Sequence, residues 1–279
     1  MSRELGSGSI KLLYSSPITN TQVILGKYLS MMIYGMVLIA ALILTVLCSS
    51  YAVVAIDIPA ILSGLLGLYL LICAYAAIGL FMSSLTSYQV VAAMGTLAVL
   101  AVLSFVGRMW QDIELIRDIA YWFSIEGRAD EFINGLICSE DVLYFLIVIA
   151  LFLSLSIFRL KAIRQKTGRV VVVTRYLAVA VLAMGLGYLS SRPKLMTYYD
   201  ANRTKTRTLT PNSQEIVSKM KGGLTITAFN NILDRYYWIT LPYQINHDLD
   251  RFKQYTRFKP EIKMKYEYYY DKADYSDIE

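Results

Sequence analysis

The stretch Ile58–Gly107, IPAILSGLLGLYLLICAYAAIGLFMSSLTSYQVVAAMGTLAVLAVLSFVG, runs fifty residues without an Asp, Glu, Lys or Arg. At ~1.5 Å per residue, one helix of that length would reach about 75 Å, more than twice the ~30 Å hydrocarbon core of a bilayer. The stretch must therefore fold back once. Its polar residues gather at Ser83-Ser84-Leu85-Thr86-Ser87-Tyr88-Gln89, which sets the turn. Two spans back to back predict an α-helical polytopic membrane protein, and the rest of the chain is oriented from them.

The totals agree. Of 279 residues 56% are hydrophobic and 17% charged, with a mean hydropathy of +0.47. A soluble domain carries about 25% charged residues. The net charge of +6 is divided between a juxtamembrane run and a mixed-charge tail, which argues against a nucleic-acid partner. Cys48, Cys73 and Cys138 are far apart and show neither disulfide nor metal spacing. Residues 1–27 contain no apolar run of signal-peptide type.

In chain order, residues 1–27 are polar to amphipathic, with Ser15-Ser16-Pro17 stopping a short apolar run and Thr19 or Asn20 placed to cap a helix. Span A covers residues 28–56 and Asp57 ends it; span B is about 58–82 and span C about 90–106. Small residues at Gly64, Gly67, Ala76 and Gly79 point to close helix packing, with a substrate-lining face as the alternative. Residues 108–141 hold three basic and eight acidic residues. Trp110, Ile113, Ile116, Ile119, Ala120 and Phe123 recur at helical spacing beside Tyr121 and Trp122, as in an amphipathic helix at the lipid–water interface. Their acids read as solvated charge more simply than as a metal or proton site. Span D is 142–158.

Arg159, Lys161, Arg164, Lys166, Arg169 and Arg175 then follow with no acid among them. By the positive-inside rule, this 159–175 loop is cytoplasmic. A fifth span, 176–191, comes next, with Arg175 snorkelling to the headgroups. The bookkeeping closes on one topology: N-terminus inside, Asp57 outside, the Ser83–Gln89 turn inside, the acidic segment outside, and residues 192–279 outside.

That tail has 15 basic and 11 acidic residues and eleven tyrosines. Residues 206–209 read as a strand, Thr210-Pro211 as a helix start, Gly222-Gly223 as its stop and Leu224–Phe229 as a strand. Ile245, Leu249 and Phe252 mark a second helix, and Ile262, Met264, Tyr266, Tyr268 and Tyr270 a third strand. A β-α-β-α-β order predicts a parallel sheet in an α/β domain that is partial here. The tyrosines could stack on sugars or bases, though a tyrosine ladder on a sheet explains them more simply.

No phosphate loop and no nucleophile elbow occurs, and His247 has no ligand-spaced companion. Spans A–D hold no ionisable Asp, Glu, Lys or Arg that would couple an ion gradient. A transporter of this composition would draw its energy from a partner on the cytoplasmic side, at residues 3–20, the 83–89 turn or the 159–175 loop. A membrane-anchored scaffold whose business is the outer domain is the rival reading. A membrane enzyme finds no convergent residues.

Glu4, Gly8-Ser9-Ile10, Leu12-Leu13 and Ser16-Pro17, followed by Ile24-Leu25-Gly26-Lys27, resemble the N-terminal motif of type-2 ABC transporter permeases. The chain looks most like the permease of the gliding-motility-associated family; Asp130–Ile137 leading into Asp141–Phe145 resembles the end of the same family. The resemblance covers residues 4–165. It implies no cofactor on this chain, ATP being held by a separate ATPase subunit. It also implies a second permease copy or half, a bacterial inner-membrane location and a cytoplasmic coupling segment, residues 1–27, carried by Glu4, Gly8, Ile10, Leu12, Leu13 and Pro17. Lys11 departs from the acid usual there. Family members have two spans before the motif, so the chain looks truncated, with spans A–D as the third to sixth.

Asp200, Thr204, Thr208-Leu209-Thr210 and the Leu224–Phe229 strand resemble the auxiliary subunit of that system, which has one span and an extracytoplasmic α/β domain. The expectation is a permease–auxiliary fusion incomplete at both ends. A reporter fused at Arg164 should read as cytosolic; a reading on the external side would remove the basis for any cytoplasmic partner.

Overall fold

The computed structural model describes residues 1–10, 15, 17–53, 55–108, 113, 117, 120, 123–165, 168–192, 196–205, 207–220, 222–235, 237–259 and 261–271. They form two compact units, residues 1–102 with 125–203, and residues 103–124 with 204–279.

The first unit is helical. Its elements are α1 (Ser2–Ser7), α2 (Asn20–Ser50), α3 (Ile58–Leu85), α4 (Gln89–Phe105), α5 (Ile125–Ile133), α6 (Ser139–Gln165) and α7 (Arg169–Ser190), with two short strands, β1 (Leu136–Cys138) and β2 (Tyr198–Asp200). Among the described residues, four helices are long and apolar enough to cross a membrane, and α4 is a shorter apolar one of 17 residues, about 26 Å. The chain is a polytopic membrane protein, with a small sheet region following the helices. Helices suit this solvent because each backbone amide is satisfied within its own segment. Thr19 opens α2 with a capping box: Gln22 N–H donates to Thr19 Oγ1 at 3.2 Å, and Thr19 N–H donates to Gln22 Oε1 at 2.9 Å.

α3 is the centre of the unit and packs against α2, α5 and α6. Its buried positions are mostly small: Ser63, Gly67, Cys73, Ala74, Ala77 and Ser84, with Ile78 and Leu80. Without a hydrophobic drive between helices in lipid, small faces bring backbones together and dispersion holds them. Gly67 leaves room for the fully buried Phe132, with which any Cβ there would collide. Ser63 Oγ donates to the Phe132 carbonyl at 3.0 Å. By contrast α2 buries only Ile24, Tyr28 and Gly35, and turns Leu29, Ile33, Met36 and Leu44 outward.

The sequence reading needs correcting at four places. The basic run is not a loop: α6 continues to Gln165 and α7 starts at Arg169, so Arg159, Lys161 and Arg164 ride on a helix end. Straight-chain basic residues are good helix formers, and neither Gly nor Pro occurs between Arg159 and Gln165. Second, the acids at 140–141 are not solvated. Arg128 is 3% exposed, and its Nη1 lies 2.8 Å from Asp141 Oδ1 and 2.6 Å from Glu140 Oε1. Both acids stand in the first turn of α6, where the helix dipole favours negative charge.

Third, residues 196–203 stay with the helical unit. β2 pairs antiparallel with β1, Leu136↔Asp200, Ile137↔Tyr199 and Cys138↔Tyr198. Fourth, Arg207–Leu209 are turn and coil rather than strand, and Thr206 lies outside the described residues.

In the second unit, Thr210 caps α8 (Pro211–Lys219), with proline in its first turn. β3 (Thr225–Asn231), α9 (Tyr237–Thr240), α10 (Ile245–Thr256) and β4 (Lys263–Tyr269) follow. β3 and β4 are parallel in the register Thr225↔Lys263 to Asn231↔Tyr269, the crossover that the alternating order predicts. Asn246 Nδ2 on α10 donates to the Gly107 carbonyl at 2.6 Å.

Arg128→Met should cost about 3–5 kcal/mol, because it strands the 2%-exposed Asp141 without its cation. The measurement is thermal unfolding in detergent. A melting temperature equal to that of the parent would show that the pair carries nothing.

Candidate coupling site

α1 is too short to be stable alone and is held by what it touches. Ser2 N–H donates to Ser83 Oγ at 2.9 Å, at the last turn of α3. One turn further on, Gly6 faces the turn after α3, where an added Cβ would sit 2.8 Å from the Ser87 carbonyl oxygen. Glu4, on the same short helix, meets Lys27 of α2 at 2.5 Å. Both side chains are about a third exposed, 33% and 28%, so the pair adds at most about 1 kcal/mol and serves mainly to set register. Gly8 ends α1 with φ +76°, a left-handed value natural to glycine, and Ile10 beyond it is buried. α1 therefore ties the start of α2 to the end of α3.

The layer beneath makes that tie rigid. Ile24 and Tyr28 of α2, Cys73, Ala77 and Leu80 of α3, and Leu153 and Leu160 of α6 form one buried cluster. Phe81 and Phe152 tilt together across α3 and α6 with ring centroids 5.7 Å apart. Leu160 sits one residue from Arg159 and Lys161, so the basic end of α6 lies at the same end of the bundle as α1 and the 83–87 turn. Three segments distant in sequence thus present one surface.

Of the residues singled out by sequence, Glu4, Gly8 and Ile10 lie on or just after α1, and Arg159, Lys161 and Arg164 lie on the last turns of α6 at the same end of the bundle. Pro17 is exposed beside the α2 cap. Leu12, Leu13 and Lys166 lie outside the described residues, and Arg169 is described only as the first residue of α7. Of the external amphipathic set, Ile113 and Phe123 are 50% and 38% exposed, while Trp110, Ile116 and Trp122 lie outside the described residues. Sequence reasoning missed Ser2, Gly6, Ser83 and Ser87 as docking partners. From sequence the 83–89 turn is expected to face a partner rather than to seat α1, and a lone glycine in a short helix gives no signal.

Among the described residues, no group of three or more His, Cys, Asp or Glu is placed to hold a metal ion. α1 thus touches α2 through the Glu4–Lys27 pair and α3 and the turn after it through Ser83 and Ser87. With Cys48, Cys73 and Cys138 replaced, cysteines at Ser2 and Ser83 should oxidise readily to a disulfide, and Gly6→Leu should slow that several-fold by lifting α1 off the turn. Equal cross-linking with and without the leucine would show that the close approach at Gly6 is not what seats the helix.

No curated protein and no solved structure matches the chain. The model of a protein family described as ABC-2 family transporter protein matches residues 1–117, the stretch that begins with α1 and carries α2, α3 and α4. Over those residues the chain is similar to the permease domain of that family, which supports a membrane subunit of an ABC transporter.

Proposed function

We propose that the chain is the permease subunit of an exporter of the gliding-motility and cell-envelope type, driven by a separate ATP-binding-cassette ATPase. The observation that carries this reading is the convergence of α1, the 83–87 turn and the basic end of α6 on one end of the helical unit. In the bacterial inner membrane, that end faces the cytoplasm, as the Lys and Arg distribution favours. ATP binding closes the ATPase, whose surface presses on residues 1–17; α1 passes the displacement into α2 and α3. The chain itself hydrolyses nothing. A second permease copy or half completes the pathway against the apolar faces that α2 leaves open. α7 and residues 192–279 act as the fused auxiliary part, with the α/β unit on the periplasmic side.

The experiment is co-purification with an ATPase subunit followed by turnover in lipid nanodiscs. Replacing Leu12 and Leu13 together with Asp should leave the bundle folded and lower the permease-dependent part of ATP turnover about tenfold or more. An ATPase that neither associates nor changes its turnover would overturn the proposal. It would leave the membrane-anchored scaffold, in which wide substitution in α2–α6 is tolerated and substitution in the α/β unit is not.

A further inference from the structure

The second unit holds a cleft for which export has no use. It encloses about 510 Å³ between β4, the start of α10 and Arg117, a size typical of small-molecule sites. Side chains alternate along a strand, so Met264, Tyr266 and Tyr268 share one face, and Tyr270, just beyond the strand end, continues it. Their phenol rings follow one another at about 7 Å, two residues of extended chain. The floor is apolar, with Ile245 only 4% exposed, and the tyrosines grade from half-buried at Tyr266 to 74% exposed at Tyr270. Burial pushes the Tyr266 hydroxyl up to about 12, and the guanidinium of Arg117, which lines the same cleft, pulls it back.

This mixture selects a ligand class. An alkyl chain would remove water from a guanidinium and several phenol hydroxyls without offering them a polar group. A nucleic-acid strand needs a continuous basic track, whereas here Lys265 is paired with Glu267 at 2.6 Å. A sugar ring has both surfaces that the cleft asks for. Its C–H face lies flat on a phenol, and its hydroxyl edge accepts from guanidinium and exchanges hydrogen bonds with tyrosine O–H. We propose that this cleft binds a saccharide, two or three rings laid along Tyr266, Tyr268 and Tyr270, with Arg117 taking hydroxyls of the innermost ring.

The test uses the full chain in nanodiscs, titrated calorimetrically with maltotriose, cellotriose, chitotriose and trigalacturonate. At least one should bind. Because the Tyr270 side chain is largely exposed, Tyr270→Ala should keep the parent melting temperature yet weaken that binding about tenfold, while Tyr270→Trp keeps it within about threefold. Arg117→Lys should weaken it as well, by removing the planar fork. If none of the four binds, or if Tyr270→Ala binds like the parent, the proposal is wrong. ATP turnover does not enter the readout, so the outcome stands apart from that of the permease experiment.

Discussion

A guanidinium with almost no exposure persists only where its charge is met, and Arg128 is met twice. Its partners, Glu140 and Asp141, sit where the first turn of α6 already favours anions. The ring of Tyr144 covers it, with the guanidinium carbon 5.4 Å from the centroid. Four residues along α5, Phe132 fills the space left by Gly67 and tilts against Phe145 at 6.2 Å. One short helix is thus fixed by charge to α6 and by shape to α3, the two helices that hold the unit together. Burying an ion pair is no reliable source of stability in itself. In this placement α5 satisfies Asp141 and seats Phe132 at once.

The opposite end of the bundle is organised by close approach and by apolar burial. Ser2, Gly6 and Glu4 fix α1 against two helices, and the cluster from Ile24 to Leu160 fixes those helices to a third. One end is held by a buried charge, the other by a light clip over a packed layer. The difference matters for any motion through the bundle, because the clip is the part cheap enough to move. An exposed ion pair and one serine bond can be broken for about 1–2 kcal/mol, whereas a buried pair cannot.

The helices were legible because lipid imposes a length and forbids charge. Fifty uncharged residues and a polar turn near Ser83 located α3 and α4 to within a few residues. The ends were less legible. Charge near Arg159 was read as an ending, but lysine and arginine stems can extend from a helix toward headgroups, so α6 continues to Gln165. The acids at 140 and 141 looked solvated because nothing local in the sequence announces that Arg128, twelve residues away, will be folded onto them. Within the candidate site, Glu4, Gly8 and Ile10 were found through the motif they resemble. Ser2, Gly6 and Ser87 matter through tertiary proximity, which a period of 3.6 or 2 cannot encode. In the tail, the capping pair Thr210-Pro211 and the parallel strands were readable from local chemistry. The expected first strand failed because β2 forms eight residues earlier, where β1 offers it a partner.

That pairing has a further consequence. Residues 197–203 are stitched to the earlier part of the chain at several points: Ser139 N–H to the Thr197 carbonyl, the β1–β2 ladder, Ala201 N–H to the Gly135 carbonyl, and Arg203 N–H to Asp57 Oδ2 at 2.7 Å. Ser191 Oγ donates to Glu140 at 2.9 Å, and α7 lies along α6. Bonds distant from the α6–α7 connection thus hold the chain beyond α7 to the earlier helices. Residues 191–203 therefore act as a strap whose ends are fastened on the helical unit by side-chain and backbone bonds alike.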